Sequence, residues 1–400
     1  MAVGETLRRL VGKALLSTGV AKAQVESMSP LQVGVGVRGA ADNVAIGFQS
    51  MVNHLGLQPG WVALKIDLRN AFNCISRAQV LRAATHYTPA LYHYLKTCYS
   101  NTVPLFCGGR VLASQEGTHQ GCPLGPLGFA VGIHPILEAV CKETLLHWQV
   151  WYLDDGLLIG DPSNVGRALE MLSTRLEAIG LSVNFSKCEL WGPAQDSWTG
   201  SPEIHKVPWT PGSGLVILGT PVNYPNTTTF ADGFWKDVTG RLREAVQKVT
   251  DMVDLQCAHH LLRKCLDACK VNHLLRTTDC YHSDSAVYDC DSAVVEGFED
   301  LLGTGLSGPQ RVQLGLPLRA GGCGVRCPLS VRPAARIAAL ATFYTAGSKD
   351  VGLPDYAAAP CAAWLTPVLS ELQGKLGPNF DPLTVWAGKH SLFIGGTAGA

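Results

Sequence analysis

Three short segments of this 400-residue chain carry side chains suited to phosphoryl chemistry. Asp67-Leu-Arg-Asn-Ala-Phe72 sets an aromatic ring a few positions after a carboxylate. Gln120-Gly-Cys-Pro-Leu-Gly125 is a Gly- and Pro-rich turn sequence, and Tyr152-Leu-Asp-Asp155 adds two adjacent carboxylates. Phosphoryl transfer to a hydroxyl needs the attacking oxygen deprotonated and the leaving group neutralised. Two divalent cations about 3.5–4 Å apart do both. Mg²⁺ is hard and prefers oxygen, with one or two carboxylates per ion and phosphates and waters completing the shell. Asp67 and Asp154 are the candidates to bridge such a pair, with Asp155 tuning the site or ligating transiently. Taken singly, each feature is bland. An Asp-Asp-Gly run is usually only a turn, an Asp ending a strand is often just solvated, and Phe72 alone is as readily a core aromatic.

The surrounding pattern supplies elements to position these groups. Trp61-Val-Ala-Leu-Lys-Ile-Asp67 is apolar and β-prone, so a central strand is expected with Asp67 at its tip. Trp148 to Leu153 and Leu157 to Gly160 flank Asp155-Gly156, an Asp-Gly hairpin signal. Helices are predicted over 5–25 (Leu7, Leu10, Val11, Ala14 and Leu15 on one face), 42–55, 76–86, 89–99, 124–146 and 335–347. Another runs from Asp161, as N-cap, and Pro162 to Gly180, with Val165, Ala168, Leu169, Leu172, Leu176 and Ile179 in one stripe. Strands are predicted at 103–107 and 110–115 around Gly108-Gly109, near 183–190, and at 215–219. Residues 31–40 read as a Gly-punctuated loop or bent strand, 230–300 as mostly helical, and the tail from 348 as loop-rich. The order describes an α+β fold, an antiparallel sheet with helices on one face.

Bulk properties are permissive. The 32 basic and 32 acidic residues cancel, which argues against a strongly basic nucleic-acid binder but hides any local groove. No leader-like start and no long apolar run is present, and the 14 cysteines form no disulfide framework. The expectation is an intracellular protein, nuclear or cytoplasmic, without a membrane span.

With all segments in view, the chain resembles the reverse transcriptases of eukaryotic non-LTR retrotransposons. Asp67-x-x-x-Ala71-Phe72, Gln120-Gly-Cys-Pro-Leu-Gly-Pro-Leu127 and Tyr152-Leu-Asp-Asp155 look like the family's first three catalytic motifs. Gly180-Leu-Ser-Val-Asn184-Phe-Ser-Lys187 is similar to the fourth and Leu218-Gly219 to the fifth. Gln32-Val-Gly34 is similar to a segment between fingers and palm, and Leu316-Pro-Leu-Arg-Ala-Gly-Gly322 to one beyond the thumb. Five motifs in order carry far more weight than any one.

The resemblance implies a right-hand polymerase. Residues 1–60 would be partial fingers, 61–222 the palm with an interleaved fingers segment, 223–300 a helical thumb, and 301–400 a Gly/Pro-rich and helical remnant. Asp67, Asp154 and Asp155 would bind two Mg²⁺ ions, or Mn²⁺ in their place. The Leu68 carbonyl would face a metal, and Phe72 would exclude a 2′-hydroxyl beneath the incoming sugar. Gln120, Gly121 and Tyr152 would line the nucleotide site. Lys187 would approach the triphosphate, and Leu218-Gly219 would grip the primer. The implied partners are an RNA template, a DNA primer and dNTPs. The family's basic Arg-Pro-Ile run would precede Met1, so truncated fingers are expected, with Arg8 and Arg9 left as helix-surface charges. Two other readings stay open: an inactive relic that only binds nucleic acid, and a globular domain with no nucleic-acid role.

Cys257, His259, His260, Cys265, Cys269, His273, Cys280, His282 and Cys290 fall close together in sequence. Their spacing matches no zinc pattern, although related elements carry Cys/His knuckles. Cys265, Cys269 and His273 share one face of a predicted helix, where buried structural thiols are expected.

Overall fold

The computed structural model describes residues 6–55, 60–119, 121–192, 203–210, 214–224, 227–278 and 284–377. The chain divides into two compact units. One comprises Met1–Ala41, His54–Gly212 and Gly347–Ala357; the other comprises Asp42–Asn53, Ser213–Ala346 and Ala358–Ala400.

The first unit is built around strands β1 (Val62–Ile66), β4 (Trp148–Tyr152), β5 (Asp155–Gly160), β6 (Glu189–Trp191) and β7 (Trp209–Thr210), ordered β4-β5-β1-β6-β7. Pairing is antiparallel except between β6 and β7. Strand β1 is central and its apolar side chains, Val62, Ala63, Leu64 and Ile66, are buried, with Lys65 between them only partly so. Helices Gly125–Glu143 and Pro162–Glu177 cover the sheet with Phe129, Ile133, Leu137, Leu169, Leu172 and Leu176. Each such buried side chain contributes about 1.5–3 kcal/mol. The core thus holds β1 and β5 rigidly, and with them the strand ends that carry the acids. A separate hairpin joins β2 (Val103–Cys107) to β3 (Arg110–Ser114).

The second unit is mainly helical. Helices Thr229–Thr250 and Asp284–Leu302 pack through Trp235, Leu242, Val246, Val287, Val294 and Phe298. It also carries the small hairpin of β8 (Leu215–Ile217) and β9 (Thr220–Val222). No helix among the described residues is long and apolar enough to cross a membrane.

Several expectations change. The helix predicted over 5–25 is two helices, Thr6–Leu16 and Gly19–Glu26. Between them the Ser17 and Thr18 hydroxyls donate to the Ala14 and Leu15 carbonyls. Local side-chain bonding of this kind competes with helix continuation. The anticipated apolar stripe points outward, with Leu7, Leu10 and Val11 all exposed. Asp161 is the N-cap residue, yet its side chain makes no capping bond. The strand near 183–190 shortens to Glu189–Trp191, because residues 184–188 form a turn anchored on Asp67. Helix Ala362–Leu376 occupies part of the tail read as loop.

Candidate active site

Strand register brings the three acids together. Ile66 pairs with Gly156, so the next residues outward, Asp67 and Asp155, stand at neighbouring strand ends. Tyr152 pairs with Asp155, which leaves Leu153 and Asp154 as the two-residue turn. The turn therefore falls earlier than the Asp-Gly pair suggested, and Asp155-Gly156 opens β5. Gly156 is needed there for another reason: a Cβ would sit 2.7 Å from the Trp151 ring.

Asp67 is held from the far side. Its carbonyl accepts the Asn184 N–H at 2.8 Å, and its carboxylate accepts the Asn184 amide at 2.9 Å. Leu68 lies opposite Val183, and the Arg69 N–H donates to the Ser182 carbonyl at 2.9 Å. These bonds use the groups of residues 67 and 69, so the Leu68 carbonyl stays outside this ladder. Sequence reasoning placed Asn184 within a motif without giving it a role. Its bidentate grip orients the Asp67 carboxylate.

The Leu153–Asp154 turn has its own brace. Leu153 adopts φ 57, a left-handed conformation uncommon for a branched side chain. The fully buried Gln32 holds it. Gln32 Oε1 accepts the Leu153 N–H at 2.8 Å and the Gly34 N–H at 3.0 Å, while Nε2 donates to the Leu153 carbonyl at 3.0 Å. Around it, Val33 N–H donates to the Trp151 carbonyl and Trp151 N–H to the Leu31 carbonyl, both at 2.8 Å. The resemblance flagged Gln32 and Gly34 only as a segment. Tertiary structure makes them the clamp on the acidic turn.

The carboxylates repel one another. Burial raises the Asp154 carboxyl, and the Asp67 charge raises it further. Burial lifts Asp155 to about 6, with Asp154 and Asp67 adding and Lys65 opposing. Asp155 keeps solvent contact, which softens the burial contribution; the like charges act regardless. Hard oxygen donors held together against their own repulsion suit a divalent cation. Among the described residues no group of three or more His, Cys, Asp or Glu, these three acids included, is placed to hold a metal ion by itself. A Mg²⁺ site of one or two carboxylates completed by phosphates and waters needs none. Since metal ligation requires the carboxylate, Mn²⁺ affinity of the free protein is expected to weaken as pH falls through about 6, by about tenfold per further pH unit. Calorimetric titration at pH 5 and 7.5 checks this; equal affinities would remove Asp155 from the ligand set.

The other predicted residues fall as follows. Phe72 is half-buried and stacks on Phe129 with ring centroids 4.7 Å apart. Its carbonyl accepts the Thr118 N–H at 2.7 Å, tying the segment before Gln120 to the first motif. Gln120 lies outside the described residues. Gly121 has φ 85, a left-handed value suited to glycine. Tyr152 is partly exposed at the end of β4, and Lys187 is exposed on the turn anchored by Asn184. Arg8 is not a free surface charge: its guanidinium lies 5.2 Å from the Tyr99 ring centroid, with Nε and Nη2 buried. Leu218-Gly219 belongs to the second unit and forms the turn of the β8–β9 hairpin.

The downstream Cys/His group does not share a helix face. The backbone breaks into a π-turn at Leu262–Leu266, a 3₁₀ turn at Ala268–Lys270 and helix Asn272–Thr277. Cys257, Cys265 and Cys269 are exposed rather than buried, while Cys290 is buried beside Thr239. Cys280 and His282 lie outside the described residues.

Residues 20–205 match the reverse transcriptase (RNA-dependent DNA polymerase) family. The chain is 26% identical over 282 residues to the retrotransposable element SLACS 132 kDa protein of Trypanosoma brucei gambiense, covering 65% of this chain and 22% of that protein. It therefore spans about a fifth of that relative's length. Telomerase from Candida albicans, in complex with a telomeric RNA fragment, aligns at 14% identity and TM-score 0.36, over 74% of this chain and 51% of the other. Apo telomerase from Candida tropicalis aligns at 10% identity and TM-score 0.37, over 74% and 53%. Residues 20–205 thus match the reverse transcriptase family, and the trypanosome relative is a retrotransposon protein, in keeping with the resemblance that the motif order carried.

Proposed function

We propose that this chain extends a primer 3′-hydroxyl with dNTPs on an RNA template. The observation that carries the reading is the strand register that sets Asp67 beside Asp155 and Asp154 in the turn between paired strands. Asp67 and Asp154 would hold the catalytic Mg²⁺ ions, or Mn²⁺, with Asp155 beside them. When bound, such ions lower the pKa of the attacking hydroxyl and neutralise the leaving pyrophosphate. Asn184 keeps the Asp67 carboxylate aimed, and Gln32 keeps Asp154 in place. Lys187 stands ready to donate a proton to pyrophosphate. In this reading residues 1–60 serve as fingers, 61–222 as palm with an interleaved fingers segment, 223–300 as thumb and 301–400 as a Gly/Pro-rich and helical C-terminal remnant.

Phe72 forms the floor of the sugar site, fixed by its stack on Phe129. Phe72→Ala is expected to raise ribonucleotide incorporation relative to dNTPs by about 10–200-fold, the range available to a steric contact in an apolar pocket. Competing rNTP and dNTP extension assays measure it, and unchanged discrimination would relegate Phe72 to the core.

The direct test is primer extension on an RNA template with Mg²⁺, beside Asp154→Ala. Extension by the wild type alone supports the proposal. Salt-sensitive RNA–DNA binding without extension would mark a relic instead.

A further inference from the structure

His273 stands against the Leu218–Gly219 turn in a way the catalytic motifs do not account for. The turn joins Ile217 to Thr220, with φ 46 at Leu218 and 83 at Gly219. Two positive φ values in a two-residue loop define a type I′ turn, which favours Asn-Gly. Leucine in the first position is strained, so something must hold it there. His273 Nε2 lies 3.0 Å from the Leu218 carbonyl and 3.2 Å from Thr220 Oγ1. The Thr220 hydroxyl donates its own hydrogen to Thr277 Oγ1 at 2.8 Å, and Thr277 donates to the His273 carbonyl at 2.8 Å. Thr220 therefore meets Nε2 as an acceptor, as does the Leu218 carbonyl.

The opposite nitrogen also faces an acceptor. Nδ1 lies 3.1 Å from Asp42 Oδ1, and Arg276 Nε donates to Asp42 Oδ2 at 2.7 Å. Burial pushes the Asp42 carboxyl up, but hydrogen bonds from His273 and Arg276 overcome this and hold it below its ordinary value. Asp42 is thus a carboxylate with no hydrogen to give. The other charged groups of this network are Arg276 and Arg336, whose Nη1 donates to the Arg276 carbonyl at 2.9 Å. The ring therefore lies within hydrogen-bonding distance of the Leu218 carbonyl on one side and of the Asp42 carboxylate on the other.

We propose that His273 is a positioning residue, a bridge that ties the strained Leu218–Gly219 turn to Asp42 and so fixes the grip on the primer strand. This rests on the polymerase reading above. Asp42, Thr220 and His273 lie far apart in sequence and meet within the second unit. The half-exposed ring leaves the turn accessible to a strand laid across it. Loss of the charge-assisted bond loosens the turn without touching the acids that do chemistry. The effect belongs in KM for primer–template rather than in kcat.

The test is steady-state primer extension with wild type, His273→Ala and Asp42→Asn. His273→Ala should show KM for primer–template raised about tenfold with kcat within a factor of two, the size of one hydrogen bond to a charged group. Wild-type behaviour in His273→Ala overturns the inference while leaving the polymerase reading intact. Absence of extension by the wild type defeats the polymerase reading itself, and the primer role with it. If His273→Ala does not fold, Asp42→Asn decides: a raised KM for primer–template with kcat kept supports the bridge, and an unchanged KM overturns it.

Discussion

Asparagine in place of Asp154 is expected to cut kcat for primer extension by about a thousandfold or more, while raising the melting temperature at neutral pH. The first effect follows from losing a charge that stabilises the transition state through metal, a contribution of several kcal/mol at about 1.4 kcal/mol per tenfold. The second follows from linkage. Burial and the Asp67 charge raise the Asp154 carboxyl in the fold, so the native state gives up this proton at a higher pH than the unfolded chain does. Asp155 behaves the same way, reaching about 6 against an ordinary 3.8. Groups raised like this favour the fold at acid pH, and that advantage disappears as pH climbs from the ordinary value through the raised one. Above it the charges simply repel. An amide at 154 relieves the repulsion, so the gain in melting temperature should be larger at pH 7.5 than at pH 5. Single-turnover extension and thermal melts at both pH values measure the pair. A variant that loses activity but melts lower at neutral pH would mean that Asp154 supports the fold rather than costing it stability.

Gly34→Ala should lower kcat about a hundredfold with only a modest loss of stability. A Cβ at 34 would lie 2.5 Å from the Leu153 backbone nitrogen and 2.6 Å from its Cγ. The nitrogen is backbone and already bound to Gln32, so relief requires the turn itself to move. Misplacing a catalytic group by about 1 Å can cost about 10² in rate, whereas overpacking costs about 1–3 kcal/mol. Gly233→Ala and Gly240→Ala are the controls. Both lie in helix Thr229–Thr250 with nothing within 4 Å of the added carbon, and there alanine should be neutral or stabilising by up to about 1 kcal/mol. Extension assays beside denaturant melts of all three variants separate local displacement from general damage. A fully active Gly34→Ala would show that the turn tolerates a shift.

Much of the core architecture was legible in local patterns. Val62 to Ile66 is too apolar and β-prone to be anything but a buried strand, and the stripe from Val165 to Leu176 demands one covered helix face. Misreadings arose where local signals competed. The hydroxyls of Ser17 and Thr18 end a helix whose periodicity continues, and the Asp155-Gly156 signal lost to the clamp on Leu153. The face of the first helix was misjudged because periodicity shows that a stripe exists, not which neighbour covers it.

The order of motifs and the identity of the acids, Phe72 and Lys187 were set by sequence alone, since residue chemistry and spacing along one strand are local properties. Which side chains hold them was decided only in three dimensions. Gln32 reaches Leu153, Asn184 reaches Asp67, and Asp42 reaches His273 across intervals of more than a hundred residues. A polar side chain gives no sign in sequence of the distant backbone group it will satisfy. That choice is made when the buried sheet and the packed helices decide which partners lie within hydrogen-bonding reach.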